Sequence, residues 1–373
     1  NYAIIYKKTG KDPNEKKMTK PEITPIITNR DVTSPFLVEV QESAVKPIEP
    51  VFLDYQKDMS QLKAKSDIPV LYKQNVANDL FQLIYVFDMG NNHDKALGTA
   101  FDYLEYLGTS DMTPEELKSE FYRLACTFYV SPGNERTYVV LSGLNENMPA
   151  AVQLFEKLLA DAQVNKEAYT NMTSDILKAR SDAKLNQGQN FSRLMSFAMY
   201  GPKSPATNLL TEAELTNMNP QELVDRIHNQ NSYKHRILYY GPSSSKDLLA
   251  TINQYHQVPA ALKDIPAGNE YSYLETPVTK VLVAPYDAKQ IYMAQISNLD
   301  KKYDPAIEPI RALYDEYFGG GMNSIVFQEM RETRGLAYSA WASIMPPSYL
   351  KYPYVLRTQI ATQNDKMIDA VTT

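Results

Sequence analysis

A four-residue pattern occurs twice in this chain, and each copy closes a helix-like segment that follows a strand-like one. Glu105-Tyr106-Leu107-Gly108 returns as Glu316-Tyr317-Phe318-Gly319, with Asp94 or Asp304 near the start of the preceding segment. The copies lie about 210 residues apart, a domain length rather than the roughly 20–50 residues of a solenoid repeat. Two related domains are the expectation.

The sequence around the first copy supplies its elements. DLFQLIYVFDMG reads as a buried strand ended by Gly90, and a helix follows over 94–107 with Gly108 as its stop. Thr113, Pro114 and Glu116 form a capping box with proline at the first helical position, and Leu117, Phe121, Leu124 and Phe128 continue as one apolar face. A strand is predicted over 137–144, with helices over 149–161, 166–185 and 191–199. Asn219, Pro220 and Glu222 open another helix, and the strand HRILYYG leads to a helix over 247–255. After a linker over 258–277 the pattern restarts with strands KVLVAPY and KQIYMAQISN and a helix over 305–318 ended by Gly319. Helices capped this clearly between strands argue for an α+β fold, with helices packed on a sheet.

The predicted boundaries are a first domain over 76–265 and a second, incomplete one over 266–373. Residues 1–75 read as the end of a preceding half followed by an extended connector, because Pro13, Pro21, Pro25, Pro35, Pro47, Pro50 and Pro69 interrupt its short apolar runs. The chain starts without Met inside the strand-like YAIIYK and stops inside a helix opened by Asn364 or Asp365, as a piece of a longer protein would.

Charge and cysteine usage exclude several function classes. With 373 residues, 43% hydrophobic content, a net charge of -6 and a pI near 5.4, the chain can bury sizeable cores and does not suit nucleic acid as its main partner. The one basic cluster, Lys7 to Lys20, is broken by Asp12, Pro13 and Glu15 and reads as a solvated linker. Cys126 is the only cysteine, so no internal disulfide or cysteine-based zinc site can form; it is placed, buried, on a predicted helix. The four histidines, His93, His228, His235 and His256, show no i, i+4 pairing. No membrane span or signal peptide is recognisable. There is no GxSxG elbow, and Gly319–Gly321 lacks the Lys-Ser/Thr of a phosphate loop.

The chemistry-bearing stretch is YFGGGMNSIVFQEMRETRGLAYS, residues 317–339. Ile325, Val326 and Met330 give a helical period, Gly335 sits where a left-handed residue would end it, and Tyr338, Ala340 and Ala342 alternate with Ser339 and Trp341 as a strand. Arg331 and Tyr338 then flank the reversal and point into one space. A guanidinium fork and a phenol O–H can hold a peptide carbonyl and favour the oxyanion that develops on it.

This segment resembles the C-terminal-half signature of the insulinase and pitrilysin family of zinc metallopeptidases, with GGGMNS, FQEMRE and RGLAY in the family's order. The resemblance implies paired homologous domains, each a mainly antiparallel sheet with helices packed on it. It implies that Arg331 and Tyr338 grip the substrate backbone from the half that does not hold zinc. Active members carry HxxEH on a helix; the matching stretch here is Asp102-Tyr103-Leu104-Glu105-Tyr106, which keeps the acid and replaces both imidazoles. A downstream glutamate ligand is missing from 168–190. The metal positions Asp102, Glu105 and Tyr106 are therefore degenerate, no cofactor is expected on this chain, and zinc is expected on a catalytic half or a homologous catalytic subunit.

The implied function is the substrate-gripping, non-catalytic half of a zinc-dependent peptidase, inactive alone, with that catalytic half and a peptide substrate as partners and neither nucleic acid nor membrane. The competing expectation is an inactive scaffolding subunit with the same fold. The sequence fixes no compartment; a periplasmic or exported parent protein is compatible with it.

Overall fold

The structure, a computed structural model, describes residues 3–6, 10, 32–275, 277–347, 349–350 and 352–373. The lysine cluster at Lys7–Lys20 and the prolines Pro13, Pro21 and Pro25 lie outside the described residues. The chain divides into a unit over residues 1–53 and a unit over residues 54–373.

In the first unit, α1 (Pro35–Glu42) is started by Ser34, whose Oγ accepts from the Leu37 amide at 3.2 Å, with Pro35 at the first position. Residues 44–53 carry no regular structure and are exposed. The strand expected at YAIIYK does not form over residues 3–6, where Ile4, Ile5 and Tyr6 are exposed.

The second unit holds two modules. The first runs β1 (Ser60–Lys63), β2 (Pro69–Gln74), β3 (Leu80–Phe87), α2 (Leu97–Leu104), α3 (Pro114–Arg123), β4 (Cys126–Pro132), β5 (Thr137–Leu144), α4 (Met148–Asp161), α5 (Lys166–Ala183), α6 (Gln187–Tyr200), α7 (Glu212–Asn217), α8 (Gln221–Asn229), β6 (His235–Gly241) and α9 (Ser245–Tyr255). Its six strands are ordered β1-β2-β6-β3-β5-β4, antiparallel except where β2 runs parallel to β6. Residues 60–74, assigned to the connector by their composition, are thus two strands of this sheet. Pro69 opens β2, where a missing N–H is tolerated, and Val70 and Tyr72 alternate into the core.

The helices cover one face of the sheet. Val152, Phe155, Leu158 and Leu159 of α4 meet Leu97, Ala100 and Leu104 of α2 in one continuous core, and each large side chain so buried contributes about 1.5–3 kcal/mol. The expected capping box forms at Thr113 and Glu116. The apolar face read through Phe128 as one helix does not: Ala125 takes φ +49, the chain reverses, and Cys126 becomes the buried first residue of β4. Phe128 still reaches the same core, its ring 4.9 Å from Phe121 and 4.9 Å from Phe155.

The second module runs β7 (Ile291–Lys302), α10 (Glu308–Asp315), α11 (Ile325–Phe327), β8 (Ala337–Met345), β9 (Pro353–Thr362) and α12 (Met367–Thr372). Its sheet order β7-β9-β8, all antiparallel, repeats the β3-β5-β4 order of the first module. The turns agree as well: Asn145–Asn147 leads from β5 into α4, and Asn364–Lys366 leads from β9 into α12.

Two expectations change here. The helix over 305–318 is a 3-10 turn at Pro305–Ile307, then α10, then a π turn at Glu316–Gly320. KVLVAPY forms no strand: Val281 and Val283 are exposed, and no described residue pairs with its amides. The core is small, built on Met330, Ala337, Ala340, Ile360 and Ala370. β7 is tied to the first module through Gln187, whose Nε2 donates to the Gln290 carbonyl at 2.7 Å, and through the edge-on contact of Phe191 with Tyr292 at 5.7 Å.

Candidate functional site

Ser324 caps α11 by accepting from the Phe327 amide at 3.3 Å, and the helix continues as a π turn over Gln328–Thr333. Single π turns recur at functional sites because the extra residue redirects a side chain. The turn is closed by the Gly335 amide on the Arg331 carbonyl at 3.2 Å and the Leu336 amide on the Met330 carbonyl at 2.7 Å. Gly335 has φ +56, as the sequence expectation required of it.

β8 begins at once, and its first residues are irregular. Ala337 pairs with Thr362 and Ser339 with Ala361, so Tyr338 is the extra residue of a bulge. Tyr338 is therefore not in phase with Ala340 and Ala342, as strict alternation predicts; they are buried and it is 71% exposed. The bulge turns its ring toward the preceding helix. The Arg331 guanidinium carbon lies 4.9 Å from the centre of the Tyr338 ring and 5.0 Å from that of Phe327. Each such stacking contributes about 0.5–1 kcal/mol at an exposed site and fixes the plane of the fork. Its charge partner, Glu332, sits 3.5 Å from Nε with both side chains partly exposed.

Arg331 and Tyr338 line one cavity of about 360 Å³ with Gln290, Gly335, Thr362 and Lys366 among the other walls. Phe327 and Lys366 were not singled out by the sequence. The i, i+4 spacing of Phe327 and Arg331 was the signal available for the first; the second is legible only once the two modules are aligned through their turns.

Asp102, Glu105 and Tyr106, the positions matched to the family's metal motif, do not meet in one cavity. Asp102 is in the last turn of α2, Glu105 caps that helix, and Tyr106 lies in the turn beyond. Burial, and then the charge of Glu105, push the Asp102 carboxyl up from its ordinary value. Only Tyr106 lines the nearby cavity of about 270 Å³, whose other walls include Asn165, Glu167, Asn171 and Asp175. Glu167 and Asp175 are the acids that the search for a downstream ligand did not single out. A phenol, amides and carboxylates without imidazole are a poor donor set for zinc, since a phenol must first lose its proton to ligate. Among the described residues no cluster of three or more His, Cys, Asp or Glu could hold a metal ion.

A different polar cluster lies inside the first module. His235 Nε2 meets His256 Nε2 at 2.9 Å, His256 Nδ1 meets Glu156 Oε1 at 2.6 Å, and His235 Nδ1 meets the Tyr233 carbonyl at 2.7 Å. Glu156 Oε2 also accepts from Asn231 at 2.9 Å and from the Gln257 amide at 3.0 Å. The carbonyl can only accept, so His235 Nδ1 carries a proton and its Nε2 accepts from His256. Burial, and then the neighbouring His256, lower the pKa of His235 to about 4. No local pattern marks this pair, since 21 residues and an intervening helix separate its members.

Comparison with known proteins defines the class of fold. No protein-family model matches the chain. It is similar to an uncharacterized zinc protease of Rickettsia felis, 20% identical over 263 residues, and spans 67% of its own length but 60% of that protein's. Among solved structures it resembles a peptidase M16 inactive domain from Pseudomonas fluorescens, with a TM-score of 0.68 at 17% identity over 84% of this chain and 77% of that one. It also resembles the periplasmic protease PqqL of Escherichia coli, with a TM-score of 0.70 at 13% identity over 91% of this chain and 40% of that one. The chain has the fold of these M16-type peptidase structures.

Proposed function

We propose that this chain is the substrate-gripping half of a zinc-dependent peptidase, in which Arg331 and Tyr338 hold the peptide backbone. Zinc, its water and the general base lie on a catalytic half of the same polypeptide or on a homologous subunit. The observation that carries this reading is the stacking of the Arg331 guanidinium on the Tyr338 ring at 4.9 Å beside a cavity that both line. With its carbon over two rings at 4.9 and 5.0 Å, the fork offers N–H donors to an acceptor in the cavity, and the phenol O–H adds a neutral donor. Such donors act most strongly where charge develops on the attacked carbonyl oxygen. The zinc-protease description of the Rickettsia relative supports a metal-bearing partner for this half. Hydrolysis of a peptide by the complete protein tests it. Tyr338→Phe is expected to lower kcat roughly tenfold or more with little change in KM, as for loss of a donor used in the transition state; an unaltered kcat removes Tyr338 from the role.

The scaffolding alternative is favoured by one observation. Ile310, Leu313 and Tyr317 form an exposed apolar stripe along α10 and its π turn, a surface suited to a partner subunit.

A further inference from the structure

Lys366 lines the same cavity as Arg331 and Tyr338, and its neighbourhood holds more positive charge than the fold needs. It ends the Asn364–Lys366 turn, and its Nζ donates to the Gly335 carbonyl at 2.8 Å, fastening the start of α12 to the end of the Arg331 helix. The first module contains a comparable bond, displaced by one residue. Asn147 ends the Asn145–Asn147 turn, and its side-chain amide donates to the Leu124 carbonyl at 2.8 Å, just before Ala125 with φ +49. A neutral amide therefore suffices for this fastening. In the second module the same place carries an ammonium, with two further N–H donors and a full charge.

Arg331 is also under-used. Its charge partner Glu332 stands 3.5 Å away in a partly exposed pair, worth little in water. Among the described residues that line the cavity are two cations, a phenol and two glutamines, and no acid. That composition is unexpected on a chain with a net charge of -6. A donor-rich hollow without an acceptor of opposite charge is complementary to a carboxylate, which accepts both from a guanidinium fork and from an ammonium.

We propose that Lys366 and Arg331 together accept a carboxylate of the bound peptide, so that Lys366 sets a preference for acidic ligands. This rests on the reading of Arg331 and Tyr338 as a peptide-gripping pair. An Asp or Glu side chain and a free peptide C-terminus offer the same group.

The test measures binding to the full chain, by calorimetry at low ionic strength, of three hexapeptides: an acetylated, amidated alanine peptide with one central glutamate, its glutamine counterpart, and the glutamine peptide with a free C-terminus. The glutamate or the free-terminus peptide is expected to bind about tenfold more tightly than the amidated glutamine peptide, and whichever does so identifies the source of the carboxylate. In Lys366→Asn, which restores the residue of the first module, that ratio is expected to fall to about one while the thermal midpoint holds. Equal affinities in the wild type, or a ratio that survives Lys366→Asn, overturn the proposal. Arg331→Ala separates the two claims: undiminished binding of the glutamine peptide there removes the gripping reading itself.

Discussion

At the scale of single residues, the candidate site depends on two backbone reversals that side chains alone would not produce. Gly335 takes the left-handed turn that ends the Arg331 helix, and the bulge at Tyr338 brings the phenol back against that helix. Gly319 supports them from beneath: a Cβ there would stand 2.1 Å from the Ala342 carbonyl oxygen of β8. Gly319→Ala is expected to cost about 1–3 kcal/mol through forced separation of the π turn from β8, read as a lower denaturant midpoint; an unchanged midpoint would show that the turn can shift freely. The sequence reading stops the helix at this glycine, whereas the π turn runs through it to Gly320; its contact with β8 leaves no local pattern. The bulge was equally hidden, because Ala337, Ala340 and Ala342 fit simple alternation until the extra residue is known.

At the scale of elements, the first module is locked by a buried polar chain joining α4, β6 and α9 through Glu156, His235 and His256. Its pH dependence follows from His235, which faces His256, the Tyr233 carbonyl and the rings of Tyr85 and Phe87. The folded-state pKa of about 4 lies below the ordinary 6.5, so the unfolded chain binds the proton more readily. Stability is therefore full above pH 6.5 and falls as the pH drops toward 4, by about 3 kcal/mol from this group. Urea unfolding at pH 7 and pH 4.5 should show a smaller difference for His235→Phe than for the wild type; equal differences contradict the assignment. Sequence periodicity found most of the helices and strands of this module, since capping residues and buried runs mark them locally. It extended a helix through Ala125 and missed the strands at 60–74, because a reversal at positive φ and a parallel partner 167 residues away, as for Val70 and Ile237, leave no local pattern. KVLVAPY shows the converse, a strand-like run without a described pairing edge.

At the scale of the whole chain, the duplicated tetrad led to the correct architecture for a reason the structure makes explicit. Glu105–Gly108 and Glu316–Gly319 each follow the helix after the first strand of a β-α-β-β arrangement, with sheet order β3-β5-β4 in one module and β7-β9-β8 in the other. Each module therefore serves as a control for the other, which is how the charge at Lys366 stands out against Asn147. In the second module the scaffold carries the guanidinium and phenol at the reversal into β8, whereas Asp102, Glu105 and Tyr106 lie at the end of α2 in the first. The division of labour, grip here and metal elsewhere, is the central claim. Its most direct test is the kcat/KM for peptide hydrolysis by the complete protein carrying Arg331→Ala, with bound zinc measured on the same sample. A loss of roughly ten- to a thousandfold at undiminished zinc content is expected; unchanged kcat/KM would contradict the account.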